Sequence, residues 1–364
     1  MFKKFDLIIS NGMYKLLILI IGLSFTAASC NLLTDPLNTG AKGVYISEDN
    51  GQSYNPSNQI ANKGTLDNST VYALLFDPVD PQIIYLGTSQ GIYKSEDGGS
   101  TWRFILTGIN VSDMAVDSSQ SNIVYATGIS GTNGKIIKTQ DGGSSWLDIF
   151  SEPNKNNAIT SISVSSTNRN MLVAGLASGE ILLSQDGGES WGAGEDFDDR
   201  IVKIRYSAGN TVLLLLQRKG LYSSSDQGKT WVRKTSNLTT TSLFSPGNSL
   251  PSISLFYDLG FTPNQPQALF LATEQGLIKS QNSGESWELV NLPANTSARR
   301  VQAVVVDPNN SASIYANIGS TVFKSVNNGL TWETNKLDTE QVVRLIQINP
   351  QTSNMIYLGM GGRK

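Results

Sequence analysis

Chemistry in this chain has to be done without histidine, because its 364 residues include none. That removes imidazole-activated nucleophiles, imidazole metal ligands and the usual proton switch near neutral pH. Carboxylates, Tyr, Lys and Arg remain. The most regular carboxylates sit in stretches such as SEDGGSTW at 95–102. Such acidic turns invite a Ca²⁺ reading, but the alternating carboxylates and terminal Glu of a dedicated loop are missing, so no metal and no cofactor is expected. A GKT at 228–230 imitates a phosphate loop, yet the Gly required five residues earlier is Ser223. The strongest donors left are Arg200, Arg218, Lys219, Arg299 and Arg300, and the planar guanidinium groups among them suit the carboxylates of an acidic protein segment or an anionic sugar. Glu195, Asp196, Asp198 and Asp199 lie close in sequence and neutralise part of that charge.

The single Cys cannot form an internal disulfide, and its surroundings give it another use. Cys30 follows the apolar run LLILIIGLSFTAAS, preceded by Lys15 and closed by the small residues Ala27, Ala28 and Ser29. The segment resembles the signal peptide and lipobox of bacterial lipoproteins, with Ala27 where Leu is more usual, and this implies lipidation of Cys30 after export. An uncleaved N-terminal anchor is the alternative; either places the rest outside the cytoplasm, in the periplasm or on the outer surface. Met13 offers a second start. The expected organisation is a signal peptide over 1–29, a tether over 30–42 and a folded domain over 43–364. A net charge of −3 gives no global positive field for nucleic acid or an anionic membrane.

What positions the candidate groups is a repeat. The octet returns as SEDNGQSY at 47, SEDGGSTW at 95, TQDGGSSW at 139, SQDGGESW at 184, SSDQGKTW at 224, SQNSGESW at 280 and SVNNGLTW at 325. Its third position holds Asp49, Asp97, Asp141, Asp186, Asp226, Asn282 and Asn327; its last holds Tyr54, Trp102, Trp146, Trp191, Trp231, Trp287 and Trp332. All six Trp residues of the chain are therefore spent on it. The spacing is that of a four-stranded propeller blade, and runs such as VYALLFDPVDPQIIYLGTSQGIYKSEDGGSTW read as strand, Asp-Pro turn, strand, Gly turn, strand, octet, strand.

The octet is similar to the Asp box, and the chain over about residues 43–362 resembles the Asp-box (BNR-repeat) propellers, a family that includes sialidases, sortilin-type receptors, large glucanases and photosystem II assembly factors. The expected fold is all-β: a seven-bladed propeller of four-stranded antiparallel blades. VRLIQINPQTSNMIYLGMGG near the C-terminus supplies two strands and GVYISEDNGQSY supplies the other two, so one composite blade closes the ring. The octets are expected to be turn staples: Asp accepts from nearby N–H groups, Gly takes positive φ, and Trp wedges against the blade.

Propeller geometry sends the octets to one face and the cationic candidates to the other, together with the long stretch VRKTSNLTTTSLFSPGNSLPS at 232–252 that contains Phe244. Two function classes follow. The first is a lipid-anchored, monomeric, non-catalytic scaffold that presents this face to a protein partner, a membrane complex among the candidates, as the resemblance to the assembly factors implies. The second is a glycoside hydrolase. Against it, no Arg precedes the first octet where sialidases keep one, and the chain holds one ring where the large glucanases pair two.

Overall fold

The computed structural model describes residues 42–62, 64–238, 252–262, 265–293 and 299–362. Cys30, Phe244 and the signal and tether segments lie outside them.

Twenty-eight strands pair into seven four-stranded antiparallel sheets. Six blades are contiguous in sequence: blade 1 (71–107), blade 2 (110–155), blade 3 (159–196), blade 4 (201–233), blade 5 (256–290) and blade 6 (304–336). Blade 7 is the composite. Val342–Ile348 and Ile356–Gly361 form its two inner strands, and Gly43–Ser47 pairs with the latter in a register running from Gly43↔Met360 to Ser47↔Ile356. The ring is thus shut by backbone hydrogen bonds between the two ends of the domain, which removes the open sheet edges of a linear array.

Packing follows from strand composition. Second strands such as Leu172–Leu176 and Val212–Leu216 are buried along their whole length, because each blade is covered on both sides by its neighbours. The apolar clusters sit between blades: Ala73, Tyr85 and Ile92 of blade 1, for example, pack on Val111, Met114 and Val124 of blade 2.

The octets lie in the turn between third and fourth strands, and their side chains close it. In the blade 1 copy, Ser95 Oγ donates to Asp97 Oδ1 (2.8 Å) and accepts from Gly99 N (2.8 Å), while Thr101 donates its N–H to Oδ1 (2.8 Å) and its hydroxyl to Oδ2 (2.6 Å). Where Asn replaces Asp the last bond reverses: Asn282 Nδ2 donates to Ser286 Oγ (2.9 Å) and Asn327 Nδ2 to Thr331 Oγ1 (2.8 Å). These bonds hold the Asp49, Asp141 and Asp186 carboxyls at about 2, well below the usual range.

The octets also join blades. Tyr85 donates its hydroxyl to Gly142 O (3.1 Å), Tyr125 to Gly187 O (3.0 Å), Tyr357 to Gly98 O (2.9 Å) and Tyr315 to Asn50 Oδ1 (2.8 Å). Each links the second strand of one blade to the fourth octet residue of the next, and together they stitch blades 6, 7, 1, 2 and 3 in order. Blades 3, 4 and 5 carry Val173, Leu213 and Phe270 at the matching place.

The aromatic residues closing the octets are not equivalent. Trp102 is 0% exposed because residues 57–61 fold over it: its Nε1 donates to Ser57 O (2.8 Å) and its backbone bonds to Gln59 and Ala61. Trp146, Trp191, Trp231, Trp287 and Trp332 are only partly buried.

Candidate functional site

The site is built by the seven innermost strands, which line a central cavity of about 540 Å³. Six of them slip register near the start, at Val71/Ala73, Val111/Asp113, Ile159/Ser161, Ile201/Lys203, Phe256/Asp258 and Val343/Leu345. A bulge leaves one residue unopposed and re-aims its side chain. Those residues are Tyr72, Ser112, Thr160, Val202, Tyr257 and Arg344, and all six line the cavity at its mouth, on the face opposite the octets.

The mouth itself is a hollow of about 380 Å³ lined by Tyr72, Ser112, Thr160, Arg200, Gln217 and Tyr257 among others. Arg200 is exposed and enters the hollow from the connector into blade 4. Arg300, in the connector into blade 6, stacks on the Tyr257 ring with its guanidinium carbon 4.1 Å from the centroid, a favourable cation–π geometry. Arg299 beside it is exposed. Arg344 donates from Nη2 to Gly362 O (2.8 Å), while its Nε is sealed from solvent with no partner among the described residues. Burial lowers the Arg344 pKa; Tyr72 nearby favours its charge and Arg300 opposes it. Tyr257 thus lies under Arg300 and lines the hollow that Arg200 enters, the two arginines opening blades two apart, and Arg344 lines the cavity from blade 7.

Arg218 and Lys219 occupy the same face, in the turn between the second and third strands of blade 4. Both are tied to their own blade, although the Arg218 side chain remains 72% exposed. Buried Asp199 accepts both of their backbone N–H groups (2.7 Å each), Arg218 Nε lies 3.4 Å from Asp199 Oδ1 without hydrogen-bond geometry, and the Lys219 ammonium donates to Phe197 O.

Just below the mouth, on residues that follow the bulges in the inner strands, charged groups fasten blades 2 to 6. Asp113 accepts from Arg205 Nη1 (2.7 Å) and Nη2 (2.9 Å), from Ser161 Oγ (2.6 Å) and from Ile162 N (3.1 Å). Lys203 donates to Asp258 Oδ1, whose Oδ2 accepts from Val304 N (3.0 Å). Burial alone would raise the Asp113 pKa, but the Arg205 charge and these bonds outweigh it and hold the carboxyl below its ordinary range. Channel pairs therefore join blades 2, 3, 4, 5 and 6, and cover the arc where the tyrosine hydroxyl bonds are missing.

These contacts bear on catalysis. Asp113 and Asp258 are the only carboxylates among the described residues lining the cavity, and each holds a cation. A glycosidase needs a second, differently tuned carboxyl with a raised pKa to protonate the leaving group. No cluster of three or more metal-ligating side chains occurs among the described residues.

Sequence reasoning identified Arg200, Arg299 and Arg300 but passed over Tyr72, Tyr257, Arg344 and the channel charges. Their signal was present: each is a polar or charged residue within the first five positions of a largely apolar inner strand, in VYALL, VSDMA, IVKIR, FYDLG and VRLIQ.

No family model matches the chain, and no curated protein does. Among solved structures it is similar to YCF48 from Cyanidioschyzon merolae, with a TM-score of 0.61 and 15% identity over 80% of this chain and 95% of that one. A second structure, YCF48 bound to D1 peptide, gives a TM-score of 0.60 and 17% identity over 80% and 92% of the two chains. An ancestral GH74 enzyme gives 0.56 and 20% over 78% of this chain but only 39% of its own, so this chain spans about two fifths of that enzyme. At such identities the likeness establishes the propeller fold.

Proposed function

We propose that the protein is a non-catalytic scaffold that docks an acidic protein segment at the mouth of its channel. The observation that carries this reading is an asymmetry of charge: Arg200, Arg300 and Arg344 have no carboxylate partner among the described residues, while both channel carboxylates are already bound to cations. A concave surface with unspent guanidinium groups and two tyrosines is equipped to hold an anionic segment and poorly equipped to protonate a leaving group. A solved peptide complex of the similar propeller YCF48 supports the choice of a peptide as ligand class. The apolar segment before Cys30 supports export and lipid anchoring in a bacterial envelope, with a membrane-associated partner in reach.

The test is triple charge reversal, Arg200→Glu with Arg300→Glu and Arg344→Glu, in the anchored protein. The fold should persist, capture of partners from detergent-solubilised membranes should fall at least tenfold, and the remaining capture should depend less on salt. Unchanged capture, or wild-type cleavage of a β-glucan or sialoside, would overturn the reading.

A further inference from the structure

Arg344 is set into the mouth differently from the other cations, and its surroundings specify a ligand. It occupies the bulge of its strand, so its side chain is directed into the channel mouth. One guanidinium edge is fixed by Gly362 O at 2.8 Å. Its stem lies in a slot kept open by a missing side chain: a Cβ on Gly361 would come within 2.2 Å of Arg344 Nε, 2.6 Å of its Cδ and 2.8 Å of Thr70 Cγ2. Tyr72 and Arg344 both line the central cavity. Its Nε is sealed from solvent in that slot, its Nη2 is taken by Gly362 O, and no carboxylate among the described residues pairs with the guanidinium. A guanidinium fixed at the cavity wall with no carboxylate partner among the described residues points to an absent anion.

We propose that Arg344 is the anchoring residue for a single carboxylate of the bound segment, gripped beside Tyr72 by the guanidinium edge that is not sealed, while the slot that Gly361 leaves open holds the arginine stem in place. This rests on the docking reading and deepens it: the exposed Arg200 and stacked Arg300 supply attraction, and Arg344 supplies selection. The flat fork pairs with carboxylate and phosphate alike, so phosphate is the competing anion that the assay must rank against a carboxylate. Side-chain and chain-terminal carboxylates offer the same chemistry, so the assay must separate them.

The experiment follows the arginine Nε–H NMR signals of the folded chain during titration with three capped peptides: acetyl-tetraglutamate amide, acetyl-tetraglycine with a free C-terminus, and acetyl-tetraglycine amide. Inorganic phosphate is the fourth probe. At least one carboxylate peptide should shift the Arg344 signal saturably while the uncharged amide does not, and which of the two does so identifies the source. Arg344→Lys keeps the charge but loses the fork, and Gly361→Ala keeps every charge but displaces the guanidinium; each should weaken that binding about tenfold or more, in the range of one charge-assisted bond. Because Gly361→Ala alters no surface charge, a loss there separates placement from general attraction. The proposal is overturned if neither carboxylate peptide shifts Arg344, if phosphate binds more tightly than both, or if both variants bind as the wild type does. Carboxylate binding without membrane-partner capture would instead sink the docking function and leave this site standing.

Discussion

Asp113 is where the architecture makes its sharpest energetic demand. Its carboxylate takes two bonds from Arg205, one each from Ser161 Oγ and Ile162 N, and one from its neighbour Met114 N. Asp113→Ala removes all of them and leaves Arg205, whose side chain is 28% exposed, with Ser161 Oγ and the Ile162 and Ile204 carbonyls. Breaking a buried pair by removing one partner costs about 3–5 kcal/mol, and because Arg205 keeps those acceptors and some solvent, the lower end, about 3 kcal/mol, is expected at pH 7. Asp113→Ala combined with Arg205→Met should recover at least half of the loss, since no uncompensated charge then remains. The pH dependence has a definite sign. The folded pKa of Asp113 lies below its unfolded value, so its contribution is complete above about pH 4 and fades as pH falls through the folded value. The stability gap between wild type and Asp113→Asn, read from urea unfolding midpoints, should therefore be constant from pH 7 to 5 and shrink below pH 4. A loss under about 1 kcal/mol for Asp113→Ala, or a gap that is flat down to pH 3, would refute the claim that this pair fastens blades 2, 3 and 4.

Further outcomes follow from the same contacts. Tyr357→Phe deletes only the hydroxyl bonded to Gly98 O and should cost about 1 kcal/mol in the same assay, whereas no loss would remove the interblade role of the octets. Trp102→Ala should cost about 3–5 kcal/mol, and Trp191→Ala clearly less because its ring is only partly buried; equal losses would contradict the covering role of residues 57–61. Cys30→Ala should abolish incorporation of labelled fatty acid and leave an unprocessed precursor, and equal labelling would exclude the anchor.

The sequence displayed its fold because the ring is written seven times. An octet with fixed Asp, Gly and Trp positions can be aligned to itself, and the half-blades at the two ends of the domain announce the composite blade. The octet's role within its turn was legible for a related reason: Ser95, Asp97, Gly99 and Thr101 are all local partners. The bond from Tyr85 to Gly142 was harder to read, since it spans 57 residues, although the tyrosine recurs after Ile or Val in IYLGT, VYATG, IYANI and IYLGM. The site was legible only in part. Arg200, Arg299 and Arg300 stand out as cations in connectors, where exposure is the default. Arg344 sits inside an apolar strand, and only the bulge at Val343/Leu345 directs it into the mouth. Arg218 is exposed as its turn position suggests, while Asp199, nineteen residues earlier, accepts its backbone N–H, a bond the sequence does not reveal.

The most direct test of the docking face is site-specific photocrosslinking in native membranes. A benzoylphenylalanine replaces either Tyr72, 38% exposed at the mouth, or Leu330, 77% exposed on the octet face. Crosslinks to a discrete membrane protein should form from position 72, fail from position 330, and disappear from position 72 when Arg200, Arg300 and Arg344 are reversed to Glu. Crosslinks that form from position 330 alone, or that survive the charge reversal at position 72, would contradict a working surface at the channel mouth.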